Sequence, residues 1–277
     1  MSLSTPKAIK LADSEFDFLV KYVGEKYGID LSKKRHLIEA RLQSELKALG
    51  FSSYSQYIDM LKADRTGEKI DVFINKITTN YSYFSREADH YDFLSRVIVP
   101  EIESKNKKSI KIWSAGCSTG QEPYNIAMAL DMALGAKKSS WNIQITATDI
   151  SLRALAVARK AVYPEGDLKN MPSSLVSKYM KKLPDGDYAV VDSIKNVPNF
   201  SRLNLMDSFP YTNTFDVIFC RNVMIYFPPK ATEETVRKFF KASVDGGYFF
   251  LSHSETISKI ENCYTYISPS IYRKTPK

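Results

Sequence analysis

Apolar residues recur at every third or fourth position through the first 76 residues, and no strand-like alternation interrupts them. Such spacing places apolar side chains on one face of a helix. The four predicted apolar faces are Phe16, Leu19, Val20, Val23 and Tyr27; Leu37, Ile38, Leu42, Leu46 and Leu49; Tyr54, Tyr57, Ile58 and Leu61; and Ile70, Phe73 and Ile77. Ser14 with Asp17 resembles a capping box, and Gly28 and Gly50 are typical helix ends. We therefore expect residues 1–76 to form an all-helical N-terminal domain.

The pattern changes after a linker at 77–108, within which polar residues interleave with aromatic ones over 78–90. Apolar runs then predict strands and amphipathic runs predict helices in alternation. The predicted strands are 110–115, 143–148, 215–220 and 248–252, the helices are 122–134, 152–160 and 232–242, and a closing hairpin pairs 264–267 with 271–274. Alternation of this kind is typical of an α/β fold, in which helices cover both faces of a mostly parallel sheet. Ligands of such folds bind at the carboxyl ends of the strands.

Residues 164–202 do not follow this alternation. Pro164-Glu165-Gly166 and Pro184-Asp185-Gly186-Asp187 are turn signals, and 188–191 is predicted as a short strand after the second turn. We interpret the segment as a small insertion between elements of the sheet. It either carries partner contacts or is a plain surface excursion.

The composition is that of a globular protein. The chain has 277 residues, of which 44% are hydrophobic and 25% charged, so a disulfide-stapled miniprotein, a collagen-like repeat and a disordered tail are excluded. The net charge of +8 favours an acidic partner without distinguishing nucleic acid, acidic protein and anionic membrane. Three cysteines, an odd number, favour reduced thiols in a cytosolic compartment. No apolar run approaches the roughly 20 residues of a membrane-spanning helix.

The second predicted helix has a basic surface. Basic residues outnumber Glu39 and Glu45 there, and they are Lys33, Lys34, Arg35, Arg41 and Lys47. A charge run of this kind is either a solvated helix face or a docking face for an acidic partner.

A glycine turn follows the first predicted strand. Gly116 and Gly120 are spaced Gly-x-x-x-Gly, which matches neither the dinucleotide motif nor the Gly-Lys-Ser/Thr of a nucleoside triphosphate site. Asp149 closes the second strand, where an acidic residue can accept hydrogen bonds from a ribose diol. Together these features favour a nucleoside-bearing cofactor, although each is also compatible with a purely structural turn or helix cap.

Further polar residues follow the predicted strand at 215–220. Arg221, Asn222 and Tyr226 come directly after it, so we expect them beside the same crevice. A core tyrosine with a satisfied hydroxyl is the alternative for Tyr226.

Six segments, in this order, resemble the chemotaxis-receptor glutamate methyltransferases of the CheR family. They are TTNYSYFSRE, AGCSTGQEPY, TDIS, NLM, FCRNVMIYF and SHSE, and with the helical domain and the insertion the resemblance spans nearly the whole chain. It implies a Rossmann-like class I S-adenosylmethionine methyltransferase domain at 109–277, with a small antiparallel β subdomain inserted at 164–202. It also implies methyl ester formation on glutamate side chains of the cytoplasmic helical domain of methyl-accepting chemotaxis receptors, for sensory adaptation.

The resemblance further implies the residues of the site. The expected cofactor-binding residues are Asn80, Ser82, Arg86, Glu122, Asp149, Asn204, Leu205, Cys220 and Arg221. Arg86 and Tyr226 are expected beside the transferring methyl group. Two positions depart from the family, since Ser82 stands where threonine is frequent and Gln121 where glutamate is frequent; the second departure argues against a catalytic role for Gln121.

The expected chemistry needs no general base, because a glutamate with a reference pKa of about 4.3 is already an anion at neutral pH. Positioning of the reactants then supplies most of the acceleration. We expect Arg86 to orient carboxylates and Tyr226 to position reactants through its hydroxyl. No metal site is expected, because His36, His90 and His253 lack ligand spacing with the cysteines.

The expected partner is the receptor, approached through Lys33, Lys34, Arg35 and Arg41. We expect a cytoplasmic monomer associated with receptor clusters, with no nucleic-acid partner and no membrane insertion. The compact turn at 183–187 holds one glycine, Gly186, and argues against tethering to a receptor-tail peptide. Two alternatives stay open: a catalytically silent regulatory protein that binds the cofactor, and a methyltransferase acting on nucleic acid.

Overall fold

The computed structural model describes residues 9–78, 81–257, 260 and 263–275. The chain divides into two compact units, of which the first ends at Thr79 and the second begins at Asn80. Among the described helices, none combines the length and apolar character needed to cross a membrane.

The first unit is helical, as predicted. Its helices are α1 (Asp13–Tyr27), α2 (Arg35–Ala48), α3 (Tyr54–Ala63) and α4 (Glu68–Ile77). Their inward faces are buried, including Leu19, Leu42, Tyr57 and Phe73, and this confirms the helical spacing. Leu49 is an exception, because it follows the end of α2 and is 37% exposed.

The capping box predicted at Ser14 and Asp17 is wrong. Helix α1 begins at Asp13, and the carboxylate of Glu15 accepts a hydrogen bond from the Ala12 N–H at 2.8 Å. Ser14 therefore lies inside the first turn of the helix. The predicted end is confirmed, since Gly28 adopts a left-handed conformation with φ 69°.

The second unit is built on a large sheet. The helices are α5 (Asp89–Phe93), α6 (Val99–Ser104), α7 (Gln121–Leu134), α8 (Leu152–Lys160), α9 (Ser173–Tyr179), α10 (Asp192–Lys195) and α11 (Pro229–Ala242). The strands are β1 (Ser109–Ala115), β2 (Asn142–Asp149), β3 (Val162–Tyr163), β4 (Met180–Lys182), β5 (Tyr188–Val190), β6 (Pro198–Arg202), β7 (Phe215–Phe219), β8 (Ser243–Phe250), β9 (Thr265–Ser268) and β10 (Ile271–Arg273). The seven-stranded sheet has the order β6-β2-β1-β7-β8-β10-β9, parallel from β6 to β8 and antiparallel beyond. This confirms the α/β prediction and the closing hairpin.

Helices cover both faces of the sheet. In β7, Val217 and Phe219 join the apolar cluster that contains α7, whereas Ile218 joins the cluster that contains Phe239 of α11. All five residues of β7 are buried. A strand buried on both faces is what a parallel sheet requires.

Strands β4 and β5 of the insertion form a separate antiparallel sheet together with β3, in the order β3-β5-β4. The insertion predicted at 164–202 therefore begins too late, because β3 is Val162–Tyr163. It also ends too late, because 198–202 is strand β6 and pairs in parallel with β2 at the edge of the large sheet. The segment between β5 and β6 is the short helix α10.

Residues 89–104, expected within a linker, are helical. Helices α5 and α6 are joined by a π-helical turn at Leu94–Ile98. Tyr91, Leu94 and Ile102 belong to the same apolar cluster as α7. The segment is therefore part of the core of the second unit.

Candidate functional site

The candidate site lies where the parallel strands β1, β2, β7 and β8 end. Ala115 pairs with Thr148, Ser114 with Phe219, and Phe219 with Phe250, so these strands finish at one edge of the sheet. Cys220, Arg221 and Tyr226 follow β7, Asp149 is the last residue of β2, and Glu122 lies in the first turn of the helix after β1. Such an edge is the usual ligand site of an α/β sheet.

The glycine turn after β1 is closely packed against two neighbouring elements. Gly116 and Gly120 have φ values of 83° and 96°. A Cβ atom on Gly116 would lie 2.4 Å from Cγ2 of Val223, and one on Gly120 would lie 2.7 Å from Cβ of Ala158. Both positions therefore require glycine, for conformation and for space.

Asp149 holds the backbone of this turn. Its Oδ2 accepts a hydrogen bond from the Ser118 N–H and its Oδ1 accepts one from the Ser151 N–H, both at 2.8 Å. Burial raises the pKa of the carboxyl, and hydrogen bonds from the backbone N–H groups of Ser151, Ser118 and Ile150 act against that shift. A carboxylate offers about four acceptor positions. Asp149 therefore combines a structural role with capacity for further donors.

Gln121 links the glycine turn to the insertion. Its side chain accepts a hydrogen bond from Thr119 Oγ1 at 2.8 Å and donates one to Asp167 at 3.0 Å. Asp167 accepts a backbone hydrogen bond from Phe84 at 3.2 Å. These bonds give Gln121 a positioning role between three segments.

Arg221 joins two other predicted site residues, Arg86 and Glu122, in one network. Its Nε and Nη2 donate to Glu87 Oε2 at 3.0 and 2.9 Å, and Nη1 donates to the Tyr91 hydroxyl at 2.9 Å. Nη1 also reaches Glu122 Oε2 at 3.3 Å, and Nη2 donates to the Arg86 carbonyl. Only 2% of the Arg221 side chain is exposed. The guanidinium therefore acts as a buried clamp on the segment that carries Arg86.

Glu122 lies at the start of α7, between the clamp and the end of β1. Its Oε1 accepts a hydrogen bond from Ser114 Oγ at 2.6 Å. Burial raises the pKa of the Glu122 carboxyl, whereas the positive charges of Arg221 and Arg86 lower it. Three predicted residues, Arg86, Glu122 and Arg221, thus influence one another directly.

The two predicted catalytic residues are half-buried and belong to different loops. The Arg86 guanidinium donates to the Tyr81 carbonyl at 3.3 Å and lies 5.6 Å from the centre of the Tyr83 ring. Tyr226 ends the 3₁₀ turn Met224–Tyr226 after β7. Their roles beside the methyl group stay predictions.

The remaining cofactor predictions differ in accessibility. Ser82 is half-buried, and Asn80 lies outside the described residues. Cys220 and Leu205 lie in one apolar cluster, and burial raises the pKa of the Cys220 thiol well above its usual value. The half-buried Asn204 accepts a hydrogen bond from the Met206 N–H at 3.0 Å. The Cys220 side chain is therefore packed in the core at this edge of the sheet.

Three polar residues that hold the site together, Glu87, Tyr91 and Glu255, were assigned no role in the sequence analysis. Glu87 and Tyr91 are partners of Arg221, as described above. Glu255 accepts backbone hydrogen bonds from Asn222 and Ile225 in the loop after β7. Glu87 and Glu255 are the acidic ends of two of the family-like segments, TTNYSYFSRE and SHSE, and this was the available signal.

The structure also brings two histidines together. Possible ligand atoms of Glu87, His90 and His253 all lie within 4.8 Å of one another. However, Glu87 is already paired with Arg221, and His253 Nε2 lies 3.1 Å from Asp89 Oδ2. The absence of a metal site stays a prediction.

The basic face of α2 is only partly available to a partner. Arg35 donates to the Leu11 carbonyl at 2.8 Å and to Asp13 at 2.6 Å. Arg41 donates to the carbonyls of residues 76–78 at the end of α4, at 2.9–3.1 Å. By contrast, Lys33 and Lys34 are exposed. The two arginines therefore stabilise the helical unit, and the lysines are the better docking candidates.

Comparison with known proteins identifies the family. The model of the CheR methyltransferase, SAM binding domain, matches residues 80–272, and that of the CheR methyltransferase, all-alpha domain, matches residues 14–78. A chemotaxis protein methyltransferase of Borreliella burgdorferi is 41% identical over 96% of this chain and 96% of its own length. Proteins of the same description from Escherichia coli and Salmonella typhimurium are 31% and 32% identical over 98% of this chain, and 94% and 93% of theirs. These matches confirm the predicted family, the predicted enzyme class, which is a methyltransferase, and the predicted cofactor, which is S-adenosylmethionine. The chain belongs to the CheR family of S-adenosylmethionine-dependent methyltransferases.

Proposed function

We propose that the protein methylates glutamate side chains in the cytoplasmic helical domain of methyl-accepting chemotaxis receptors, for sensory adaptation. It acts as a cytoplasmic monomer at receptor clusters. The observation that carries the proposal is the buried Arg221 clamp, which holds the Arg86 segment beside Glu122 and the end of β1. Family membership supports the receptor as substrate.

The residues at this edge of the sheet fit S-adenosylmethionine. Asp149 retains acceptor capacity for a ribose hydroxyl, because three backbone N–H groups, those of Ser118, Ser151 and Ile150, leave part of its roughly four acceptor positions open. Arg86 offers a half-buried guanidinium for the amino-acid carboxylate, with the half-buried Ser82 at the same end of the cofactor. The half-buried Asn204 lies on the adenine side in this proposal. Asn80, Glu122, Leu205, Cys220 and Arg221 complete the proposed binding set.

When bound, the cofactor supplies a sulfonium methyl group, which is attacked by a carboxylate oxygen; the products are a methyl ester and S-adenosylhomocysteine. The attacking glutamate needs no base at neutral pH. Correct geometry alone is worth about 7–11 kcal/mol of the barrier. Arg86 and Tyr226 serve that geometry by orienting the reacting groups. Arg86 must not bind the nucleophile more tightly than the transition state, since this would slow the reaction.

The decisive experiment follows the methyl group. The protein is incubated with methyl-labelled S-adenosylmethionine and a receptor cytoplasmic fragment, and the labelled product is treated with mild base. Release of labelled methanol is expected, because a carboxyl methyl ester is base-labile. Label in added nucleic acid, or no transfer at all, would contradict the proposal and favour one of the two alternatives.

Receptor docking is tested separately at the exposed lysines of α2. Lys33→Glu with Lys34→Glu is expected to raise the KM for receptor at low salt, with a smaller effect at high salt, because surface charges are screened. The matched control is Lys160→Glu with Lys241→Glu, an equal charge change at exposed positions of α8 and α11. Equal KM values for the two double variants would contradict docking through α2.

A further inference from the structure

We infer that Glu255 is a positioning residue for methyl transfer, because its carboxylate fixes the loop that carries Tyr226. The inference rests on the proposed function, in which Tyr226 orients the reacting groups. It concerns a residue that does not itself touch substrate or cofactor in that proposal.

The carboxylate of Glu255 accepts four hydrogen bonds from two loops. Oε2 accepts from the Asn222 N–H at 2.9 Å, the Ser252 N–H at 2.9 Å and the Ser252 hydroxyl at 2.7 Å. Oε1 accepts from the Ile225 N–H at 3.1 Å. Glu255 therefore joins the loop after β8, where it resides, to the loop after β7.

The loop after β7 changes direction at Asn222. Its φ is 59°, in the left-handed region where asparagine is enriched over most other non-glycine residues. Two residues later the backbone enters the turn Met224–Tyr226, in which the Tyr226 N–H donates to the Val223 carbonyl at 3.3 Å. The two bonds from Asn222 and Ile225 to Glu255 bracket this change of direction. These bonds fix the backbone from which the Tyr226 side chain, at the next position, extends.

A carboxylate suits this task better than any other side chain. Both oxygens are acceptors only, and together they offer about four acceptor positions. In Glu255→Gln, one oxygen is replaced by an NH₂ group, which would face a backbone N–H donor. The substitution changes the shape of the side chain very little and removes at least one of the bonds between the loops.

The test compares Glu255→Gln with Glu233→Gln. Glu233 is an exposed residue of α11 that pairs with Arg237 at 2.7 Å, so it controls for the loss of one negative charge. Glu255→Gln is expected to lower kcat for receptor methylation by about 10- to 100-fold, the range expected for a displacement near 1 Å. The affinity for S-adenosylhomocysteine, measured by calorimetry, is expected to change less than about threefold. Glu233→Gln is expected to match the unchanged protein in both measurements.

A double-substitution cycle with Tyr226→Phe separates positioning from general destabilisation. If Glu255 acts through Tyr226, adding Glu255→Gln to Tyr226→Phe lowers kcat much less than it does alone. If the double variant lowers kcat by the product of the two single-variant decreases, the inference is wrong. It is also wrong if kcat is unchanged in Glu255→Gln. If thermal unfolding shows that Glu255→Gln is not folded, Glu255→Asp replaces it in the cycle; it keeps the charge but shortens the reach of the carboxylate to the N–H groups of Asn222 and Ile225, so a decrease of kcat is again expected.

The outcome also distinguishes this inference from the proposed function. Failure of the unchanged protein to label the receptor contradicts the proposed function, and the inference falls with it. An active unchanged protein beside an equally active Glu255→Gln variant contradicts the inference alone.

Discussion

The guanidinium of Arg221 donates two hydrogen bonds to a single oxygen of Glu87, from Nε at 3.0 Å and from Nη2 at 2.9 Å. The two residues are 134 positions apart in the sequence. Their contact joins the loop after β7 to the segment that precedes α5. Because Arg86 directly precedes Glu87, this ion pair fixes the backbone position of the predicted catalytic arginine.

Arg221→Lys tests how much of the stability depends on this clamp. Lysine keeps the charge and loses the planar arrangement of donors that reaches Glu87, Tyr91 and Glu122 together. Since hydrogen bonds to charged groups contribute about 1.5–3 kcal/mol each, we expect the free energy of unfolding to fall by about 2–4 kcal/mol. Urea unfolding measures this change.

The matched control for the clamp is Arg237→Lys. Arg237 pairs with Glu233 on the exposed surface of α11, and exposed pairs of this spacing contribute under about 0.5 kcal/mol. Equal losses in the two variants would mean that Arg221 is not a structural clamp.

Much of the fold was predictable because it depends on local spacing. The apolar faces of α1 to α4 and the apolar runs of β1, β2 and β7 are visible in the sequence. Residues 89–104 also have helical spacing, with Tyr91, Leu94, Ile98 and Ile102 buried. Pro100 and the interleaved polar residues obscured it. In the structure Pro100 directly follows the π-helical turn Leu94–Ile98, as the second residue of α6.

Strand β6 was not predictable in the same way. Pro198–Arg202 begins with proline and has only one residue, Pro198, buried. It is a strand because it pairs with β2 along five positions, from Ile145 to Asp149. Pairing between distant segments determines such an edge strand, and no local pattern reveals it.

The candidate site shows the same division. The glycine turn and Asp149 were recognisable because each belongs to a short motif at the end of a predicted strand. In the structure Asp149 accepts a hydrogen bond from that turn. The partners of Arg221 come from segments far away in the sequence, so the spacing of residues along the chain cannot predict these contacts. For Arg41, charge suggested a partner, whereas the structure shows it bound to carbonyls of its own unit.

Gly120→Ala tests the close packing of the glycine turn. The new Cβ would lie 2.7 Å from Ala158 Cβ and 3.0 Å from the Tyr163 hydroxyl, at a φ of 96°. Left-handed strain and overpacking together are expected to lower the free energy of unfolding by about 2–4 kcal/mol. The control is Gly166→Ala, because no atom lies within 4 Å of its added Cβ, and a neutral or slightly stabilising effect is expected. Thermal unfolding in which both variants behave alike would contradict this packing argument.

Asp149→Asn tests the coupling between the turn and cofactor binding. The amide keeps one acceptor oxygen and presents an NH₂ group to the other N–H, so the bond to Ser118 or to Ser151 is lost. We expect the affinity for S-adenosylhomocysteine to fall about tenfold or more, which corresponds to about 1.4 kcal/mol. Asp245→Asn is the control, since Asp245 is largely exposed and pairs with Lys274 away from the turn. Calorimetry that gives equal affinities for both variants would argue against Asp149 as a binding residue.

His90→Phe tests the buried histidine beside the clamp. Neither ring nitrogen of His90 has a hydrogen-bond partner among the described residues, and its ring packs edge-on against Phe250. Burial, with a further contribution from the Arg221 charge, lowers the pKa of His90 to about 3. Between about pH 6.5 and pH 3 the unfolded chain therefore binds a proton that the folded chain does not, and stability falls on acidification by up to about 1.4 kcal/mol per pH unit. At pH 7.5 the His90→Phe variant is expected to be as stable as the unchanged protein. Between pH 6.5 and pH 4.5 its free energy of unfolding is expected to fall less than that of the unchanged protein.

The exposed His36 provides the control, because urea unfolding of His36→Phe should follow the unchanged protein across this range. A pH profile of His90→Phe that parallels the unchanged protein would show that another group carries the acid sensitivity.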